Sequence, residues 1–465
     1  MLYRKRKREG PNLSQQLWII LACLWIVAAS LGPNIPFGSG SLVLRPEDFL
    51  TGVMSGLAVT KLLYGRVRRN TMGVSLRVVL FALGISVVAS LAVLLQLMAG
   101  LDMSTATGTF GYSLQLEILK EGIRFGKYIL VAFAFSQVPY QSWKPVLGIL
   151  AACCFIIIGI QVIQYIDAEK INPWLIEFYA GGIRPGNLDY TVAFSKTVSQ
   201  FRSGSVMINP NVLGAYLIAP LFLFGMLLLE SFNVTSKEAG RSRLLWLGLS
   251  GILWLGVFLT QSRTILLASL FGAMVSIPAI PRHFRRNLNR IGAWAIGAAV
   301  VTFAVFASTT YRFSVEGVLR GFTESLNIKL GLTLSAIQKL GLLIIVGAGP
   351  TGAGRSVDSE IGNIITWYGL IGLLLYFLFY RSLYHLILRR IQNVYLRAAF
   401  VGILAAYLLG AVGASFLLNN RVFPVFLAML TIACAETTQR LLLPAQKANR
   451  GVGRSILRRP NASGD

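Results

Sequence analysis

Runs of about 18 or more mostly apolar residues recur along the whole chain, and that is the length a helix needs to cross a bilayer. Within them the pattern does not alternate from residue to residue, as lipid-facing barrel strands would. Backbone groups in lipid must be satisfied within the segment, so helices are the expected spans. The runs are Gln15–Leu31, Asp48–Tyr64, Val78–Met98, Leu114–Val138, Val146–Ile166, Asn211–Leu229, Leu244–Leu259, Ile265–Ile280, Ile291–Ser308, Ile361–Tyr380, Ala398–Leu418 and Phe423–Thr438. They predict an all-α polytopic membrane protein with about twelve transmembrane helices. Two longer polar interruptions, about 167–208 and 310–360, are the large loops.

The organisation follows from these runs: a basic N-terminus over 1–14, one transmembrane domain over 15–438, and a basic tail over 439–465. Arg4, Lys5, Arg6, Lys7 and Arg8 ahead of an apolar run also suit a signal peptide. The length of that run and the many spans behind it favour a retained first helix. Asn209-Pro210-Asn211 reads as a helix start, with an asparagine cap and proline in the first turn. The fourth run is unusual because it carries Glu117, Lys120, Glu121, Arg124 and Lys127. Its first four charges recur at three- and four-residue steps and share one helical face. Charges at membrane depth usually face a bundle interior or a cavity. Ile328–Val346, inside the second long loop, is apolar enough for a short surface or re-entrant helix.

Composition agrees with the membrane reading: 55% of residues are hydrophobic, 13% are charged and mean hydropathy is +0.66. The net charge of +25 is not read as a nucleic-acid signal, because its basic residues lie in short loops between spans, where polytopic proteins collect them on the cytoplasmic side. Alternating the loops places 28 of the 43 Lys and Arg residues on the side of the N-terminus. That side is therefore expected to be cytoplasmic, with both termini inside and both long loops extracytoplasmic. Cys23, Cys153, Cys154 and Cys434 all fall in apolar runs and read as small buried hydrophobes, not as a disulfide framework or metal cluster. The two histidines, His283 and His385, fall on the cytoplasmic side. The outer face then has no histidine for a zinc site or a general base, and carboxylates are its only titratable groups suited to catalysis.

The stretch richest in candidate chemistry is Gly347 to Phe377. Its glycine-rich first half carries Arg355, Asp358 and Glu360 directly ahead of a span. The two acids are candidate catalytic groups, although acids at a helix start are also favoured simply by the helix dipole. The spacing of Gly347, Gly349 and Gly352 approaches nucleotide-loop patterns, but no βαβ context surrounds it and the loop faces outward, where nucleotides are scarce. Free amides, a helix start and an arginine still suit a phosphate; a plain flexible connector is the alternative. Single outer-face arginines recur in separate loops: Arg45, Arg184, Arg202, Arg263, Arg312, Arg355 and Arg421. A guanidinium fork suits phosphate, and contact with lipid headgroups explains the same pattern. Arg202 and Arg263 each abut the start of a span. Lys120 and Arg124 either extend a basic pocket into the membrane or neutralise Glu117 and Glu121.

Five pieces taken together resemble the O-antigen polymerase and O-antigen ligase superfamily of bacterial membrane glycosyltransferases. They are Leu44-Arg45-Pro46-Glu47-Asp48-Phe49-Leu50, Asn209-Pro210-Asn211-Val212-Leu213-Gly214, Ser262-Arg263-Thr264, the glycine-rich Gly347 to Gly354, and Asp358 to Gly372. Ligases of this family carry a histidine where this chain has Asp358, followed by Ser359, nine residues, Gly369, two residues and Gly372. The departure favours the polymerase branch, and the related peptidoglycan polymerases are similar in relying on an external aspartate.

The resemblance implies a GT-C-like fold with two long extracytoplasmic loops in the bacterial plasma or inner membrane. It implies a metal-independent, cofactor-free transferase whose donor is an oligosaccharide on undecaprenyl pyrophosphate and whose second substrate is a glycan acceptor. Membrane lipids and a chain-length regulator would be its partners, and nucleic acid would not. On this reading Arg202, Arg263, Arg355, Arg312, Arg45, Lys120 and Arg124 are the candidates for gripping pyrophosphate. Asp358 or Glu360 would orient or deprotonate the acceptor hydroxyl. A ligase that transfers finished glycan to a lipid or protein shares donor and fold. A flippase for the lipid-linked sugar also fits twelve spans, although the sequence has none of the internal repeat that such transporters usually show.

Overall fold

A computed structural model describes residues 13–37, 42–64, 72–98, 114–179, 204–207, 209–232, 237–279, 340–349 and 359–435 except 415, with a few single positions between 327 and 338. The run expected over Ile291–Ser308 lies outside these residues, as do residues 1–12 of the expected N-terminal segment, the expected tail and most of the two long loops.

The described chain is helical. Its helices are α1 (Leu13–Leu31), α2 (Pro46–Leu63), α3 (Gly73–Met98), α4 (Leu114–Phe135), α5 (Trp143–Ile166), α6 (Ala168–Tyr179), α7 (Pro210–Ser231), α8 (Lys237–Leu259), α9 (Arg263–Ser276), α10 (Glu360–Arg390) and α11 (Val394–Gly410), followed by α12 (Val422–Ala435). A two-stranded antiparallel ribbon, β1 (Ile35–Phe37) with β2 (Leu42–Leu44), links α1 to α2. Five helical segments are long and apolar enough to cross a membrane: Leu13–Leu31, Gly73–Leu95, Tyr140–Ile166, Pro210–Ser231 and Glu360–Arg390. Four shorter apolar helices accompany them, Arg243–Leu259, Thr264–Ser276, Val394–Gly410 and Val422–Ala435. The protein is a helical membrane protein.

Burial explains the layering. Every residue from Val422 to Ala435 is buried, so α12 is wrapped on all sides, the position expected of a helix apolar around its full circumference. Helix α7 is nearly as enclosed, and it packs against α8 and α11. Peripheral helices such as α1 and α3 bury one face and leave Leu17, Ile20, Leu24, Leu80, Leu83 and Val87 exposed, apolar side chains that suit lipid contact. Helix α3 packs along α10; Phe81 stacks on Phe379 with ring centroids 4.4 Å apart. Helix α9 lies against α11 so closely that a Cβ on Gly272 would stand 2.5 Å from the carbonyl oxygen of Gly402.

Helix starts follow local chemistry. The Asn209 side chain accepts from the Asn211 amide at 2.8 Å and caps α7, with Pro210 as its first residue, as the sequence predicts. Asp48 accepts from the Arg45 amide at 3.0 Å at the start of α2, and Asn393 accepts from the Tyr395 and Leu396 amides at the start of α11.

Several elements differ from the sequence expectation: α8 starts at Lys237, seven residues before Leu244, and α10 runs to Arg390, ten residues beyond Tyr380. The apolar run Ala398–Leu418 is not one helix: α11 stops at Gly410, and the ring of Phe416 folds back to within 2.4 Å of where a Cβ on Gly410 would be. The first long loop is not irregular throughout, since it opens with α6 immediately after α5. The expected continuous span Ile361–Tyr380 is broken at Gly369, whose φ of 64° and ψ of −164° interrupt α10.

Candidate functional site

The break in α10 is sharp. Tyr376 donates to Glu360 at 2.8 Å, although sixteen residues of straight helix would separate them by about 24 Å, well beyond the combined reach of the two side chains. The half from Glu360 to Tyr368 therefore folds back against the half that follows. The bend exposes backbone groups, and the glycine-rich segment satisfies them. Ala348 donates to Thr366 O at 2.9 Å, Gly349 to Trp367 O at 2.9 Å, and Ile371 to Ile345 O at 3.1 Å. Irregular backbone inside a membrane bundle survives only with such partners. Gly347 and Gly369 permit the approach. A Cβ on Gly347 would lie 2.4 Å from the Trp367 backbone, and one on Gly369 would lie 2.3 Å from Ile345 O. The start of the glycine stretch is thus a fixed re-entrant turn against the broken helix, not a loose connector.

Glu360 is fully buried. Its Oε2 accepts from the amides of Phe416 at 2.5 Å and Leu418 at 3.1 Å, and its Oε1 accepts from Tyr376. Between those two amides, Leu417 O accepts from Tyr128 of α4 at 2.6 Å. Ser359 caps the half-helix by accepting from Gly362, and its hydroxyl donates to Ala411 O. The turn from Ala411 to Arg421 is consequently gripped from α10 on one side and α4 on the other. Both carboxylate oxygens of Glu360 are engaged, so its geometry is that of an anchor; reaching an acceptor hydroxyl would require breaking these bonds. Asp358, the other candidate carboxylate, lies outside the described residues, as do Arg202, Arg312 and Arg355.

Arg421 ends the same turn and is buried. Its Nη1 donates to Val206 O at 2.9 Å, and its Nη2 donates to Gly32 O at 3.2 Å and Asn34 Oδ1 at 2.9 Å. Tyr179, closing α6, lies under the guanidinium, 5.9 Å from the ring centroid. Burial, with Arg45 nearby, pushes Arg421 down to about 9, and Glu47, Tyr179 and Asp48 push the other way. This arginine therefore does not serve lipid headgroups: it is a buried clamp among three connecting segments.

Arg45 was a phosphate candidate, and it lies beside that clamp. Its Nε donates to Asn34 Oδ1 at 2.8 Å, and its Nη1 is 3.8 Å from Glu47 Oε1. Lys127 of α4 pairs with Glu47 at 3.1 Å and with Asp48 at 2.6 Å, which ties α4 to the start of α2. Arg124 stands on α4 three residues before Lys127; it pairs with Glu121 at 2.5 Å, while Tyr368 donates to the other oxygen of Glu121 at 3.3 Å. The pairing of Arg124 with Glu121 agrees with the neutralising alternative read from the sequence. Helix α4 includes Glu117 and Lys120, whose side chains are outside the described set. Arg263 is the first residue of α9; the side chain of its neighbour Ser262 donates to Asn211 Oδ1 at 2.9 Å, which joins the α9 start to the α7 start.

Sequence reasoning named Arg45, Arg124 and Glu360 but missed Asn34, Tyr376 and the role of Arg421. Asn34 gives no signal in a Pro- and Gly-rich linker. Tyr376 sits in an apolar run where a tyrosine is unremarkable. Among the described residues no group of three or more His, Cys, Asp or Glu side chains could hold a metal ion, and the four cysteines are unpaired. No protein-family model matches the chain, and no curated protein matches it.

Proposed function

We propose that this protein is a membrane glycan polymerase that extends a polysaccharide, an O-antigen or exopolysaccharide, from an undecaprenyl-pyrophosphate-linked donor. On this reading the bundle has about twelve spans and a GT-C-like architecture, sits in a bacterial plasma or inner membrane with both termini cytoplasmic, and presents the Ala411–Arg421 turn and the two long loops outside.

One observation carries the reading. The described parts of the five sequence pieces that resemble the polymerase and ligase superfamily are linked to one another by a chain of hydrogen bonds. Arg45 and Arg421 share Asn34. Arg421 binds Val206 O, next to the segment leading into Asn209. Asn211 accepts from Ser262. Glu360 binds the hub turn, Ala411–Arg421, and the glycine stretch is sewn to the same broken helix. These contacts bring together residues scattered over more than 300 positions of sequence, and that gathering supports the reading.

The chemistry asks for cations at the leaving group and a carboxylate at the acceptor. A hydroxyl oxygen of the acceptor attacks the anomeric carbon. The bond from that carbon to the pyrophosphate oxygen breaks, and undecaprenyl pyrophosphate leaves with the bonding electrons. The hydroxyl proton passes to Asp358, which directly precedes the capped start of the broken helix. Arg45, Arg263 and the loop arginines Arg202, Arg312 and Arg355 offset the charge gained by the two phosphates, while Glu360 holds the half-helix in place.

The test is purified protein with an undecaprenyl-pyrophosphate-linked oligosaccharide. A ladder of longer products with release of undecaprenyl pyrophosphate is expected. Asp358→Ala and Arg263→Ala should each lower the rate by about 100-fold or more, the range for a lost general base or charge-stabilising group, with normal membrane insertion. Full-length polymer from either variant removes that residue from the mechanism. A product lengthened by a single transfer to a non-glycan acceptor makes the protein a ligase, and translocation without donor consumption makes it a transporter.

A further inference from the structure

Two guanidinium groups meet at one amide oxygen. Asn34 Oδ1 accepts from Arg45 Nε at 2.8 Å and from Arg421 Nη2 at 2.9 Å. The remaining groups of Asn34 are also committed: its backbone amide donates to Phe178 O at 3.0 Å, and its side-chain Nδ2 donates to Tyr179 O. The side-chain amide is therefore held in one orientation by the carbonyl that closes α6, with its oxygen turned towards the arginines. Arg421 is fixed in turn by Val206 O and Gly32 O.

Arg45 is the one member of this trio with capacity to spare. Its side chain is 19% exposed, but its Nη1 is itself buried, and it has no hydrogen-bond partner among the described residues; the carboxylate of Glu47, at 3.8 Å, is beyond hydrogen-bonding range. An arginine tethered through Nε keeps its two terminal nitrogens as a fork, the geometry that binds two oxygens of a phosphate at once. Like charge between Arg45 and Arg421 would drive the two apart were it not for the shared acceptor and for Glu47 and Asp48 nearby.

We infer that Asn34 and Arg421 are positioning residues for Arg45: they hold its Nε so that its terminal nitrogens face the pyrophosphate of the lipid-linked substrate. The inference rests on the function proposed above and adds two residues to it. Neither touches the ligand. Arg421 sets where Asn34 Oδ1 lies, and Asn34 sets the direction of the Arg45 fork.

The test measures binding of undecaprenyl pyrophosphate to the full-length protein in nanodiscs, with undecaprenol and inorganic pyrophosphate as comparisons. Asn34→Ala, which leaves both arginine side chains in place, should weaken binding of undecaprenyl pyrophosphate about 10-fold. Arg45→Lys keeps the charge but has neither an Nε to tether nor a fork, so it should lose at least as much. The double variant should lose no more than Arg45→Lys alone, because without the fork there is nothing left for Asn34 to orient. Asn34→Ala binding as tightly as wild type, or losses that multiply in the double variant, would overturn the positioning role. Because a general loss of folding would also lower thermal stability, Arg45→Lys at the partly exposed position must melt like wild type; if it binds like wild type too, the tether is irrelevant. Wild-type protein that binds undecaprenol as tightly as undecaprenyl pyrophosphate would instead overturn the polymerase reading from which the inference starts. Comparable affinity for inorganic pyrophosphate would mark the fork as a site for free anion, against the lipid-linked substrate.

Discussion

Gly369→Ala should destabilise the protein by about 3 kcal/mol or more, enough to remove most folded protein from membranes. Two effects add. The backbone at this position has φ 64° and ψ −164°, a region open almost only to glycine and worth about 1–3 kcal/mol of strain for any other residue. The added Cβ would also stand 2.3 Å from Ile345 O and 2.5 Å from the Gly347 amide nitrogen. Both of those atoms are backbone, so no side-chain rotation relieves the contact, and the re-entrant turn must detach from the broken helix. Gly347→Ala should behave similarly, with φ 81° and a Cβ 2.4 Å from the Trp367 carbonyl carbon. The control is Gly148→Ala in α5, where nothing lies within 4 Å and where alanine should be neutral or stabilising by up to about 1 kcal/mol through helix propensity. Thermal melting in detergent, followed by size-exclusion recovery, reads all three. A Gly369→Ala protein that melts with wild type would mean that the bend at this residue is wrong.

Glu360→Ala should lose about 3–5 kcal/mol, because it leaves the Phe416 and Leu418 amides and the Tyr376 hydroxyl without an acceptor in a buried site. Glu360→Gln separates two roles that the sequence leaves joined. Its amide oxygen can take the two backbone N–H groups while its amide nitrogen donates to Tyr376, so the hub turn stays held. The expected result is a Glu360→Gln protein of near-native stability that still elongates glycan, beside a Glu360→Ala protein that fails to accumulate. A Gln variant that folds but is inactive would return Glu360 to the reaction as a carboxylate. Asp358, ahead of the Ser359 cap, would then lose its place as the sole acid at the acceptor.

How much of this was legible beforehand depends on the range of the interaction involved. The apolar runs gave α1, α3, α4, α5 and α7 to within a few residues, since a helix in lipid satisfies its backbone locally and so writes its length into composition. The Asn209 cap was equally readable, because its acceptor and its donor are two residues apart. The break at Gly369 was not. A lone glycine in an apolar helix usually changes little, and here its conformation is imposed by Ile345 and Gly347, more than twenty positions earlier. The short reach of α11 was hidden for a related reason: Phe416 is apolar and extends the run, yet it turns back onto Gly410.

The candidate site divides along the same line. Arg124 was picked out as a charge inside an apolar run, where it is conspicuous, Arg45 as one of the single arginines in the outer-face loops, and Glu360 as an acid directly ahead of a span. The partners each one holds are mostly remote in sequence: Tyr368 on the far oxygen of Glu121, the carboxylate that Arg124 pairs with, the hub amides for Glu360, and Asn34 for both Arg45 and Arg421. Sequence alone determined that this is a helical membrane protein with a few misfit charges, since hydropathy is a property of each segment by itself. Only the tertiary structure decided that one helix folds back on itself and that those charges gather around a single turn, because hydrogen bonds between distant segments depend on packing that no local pattern encodes.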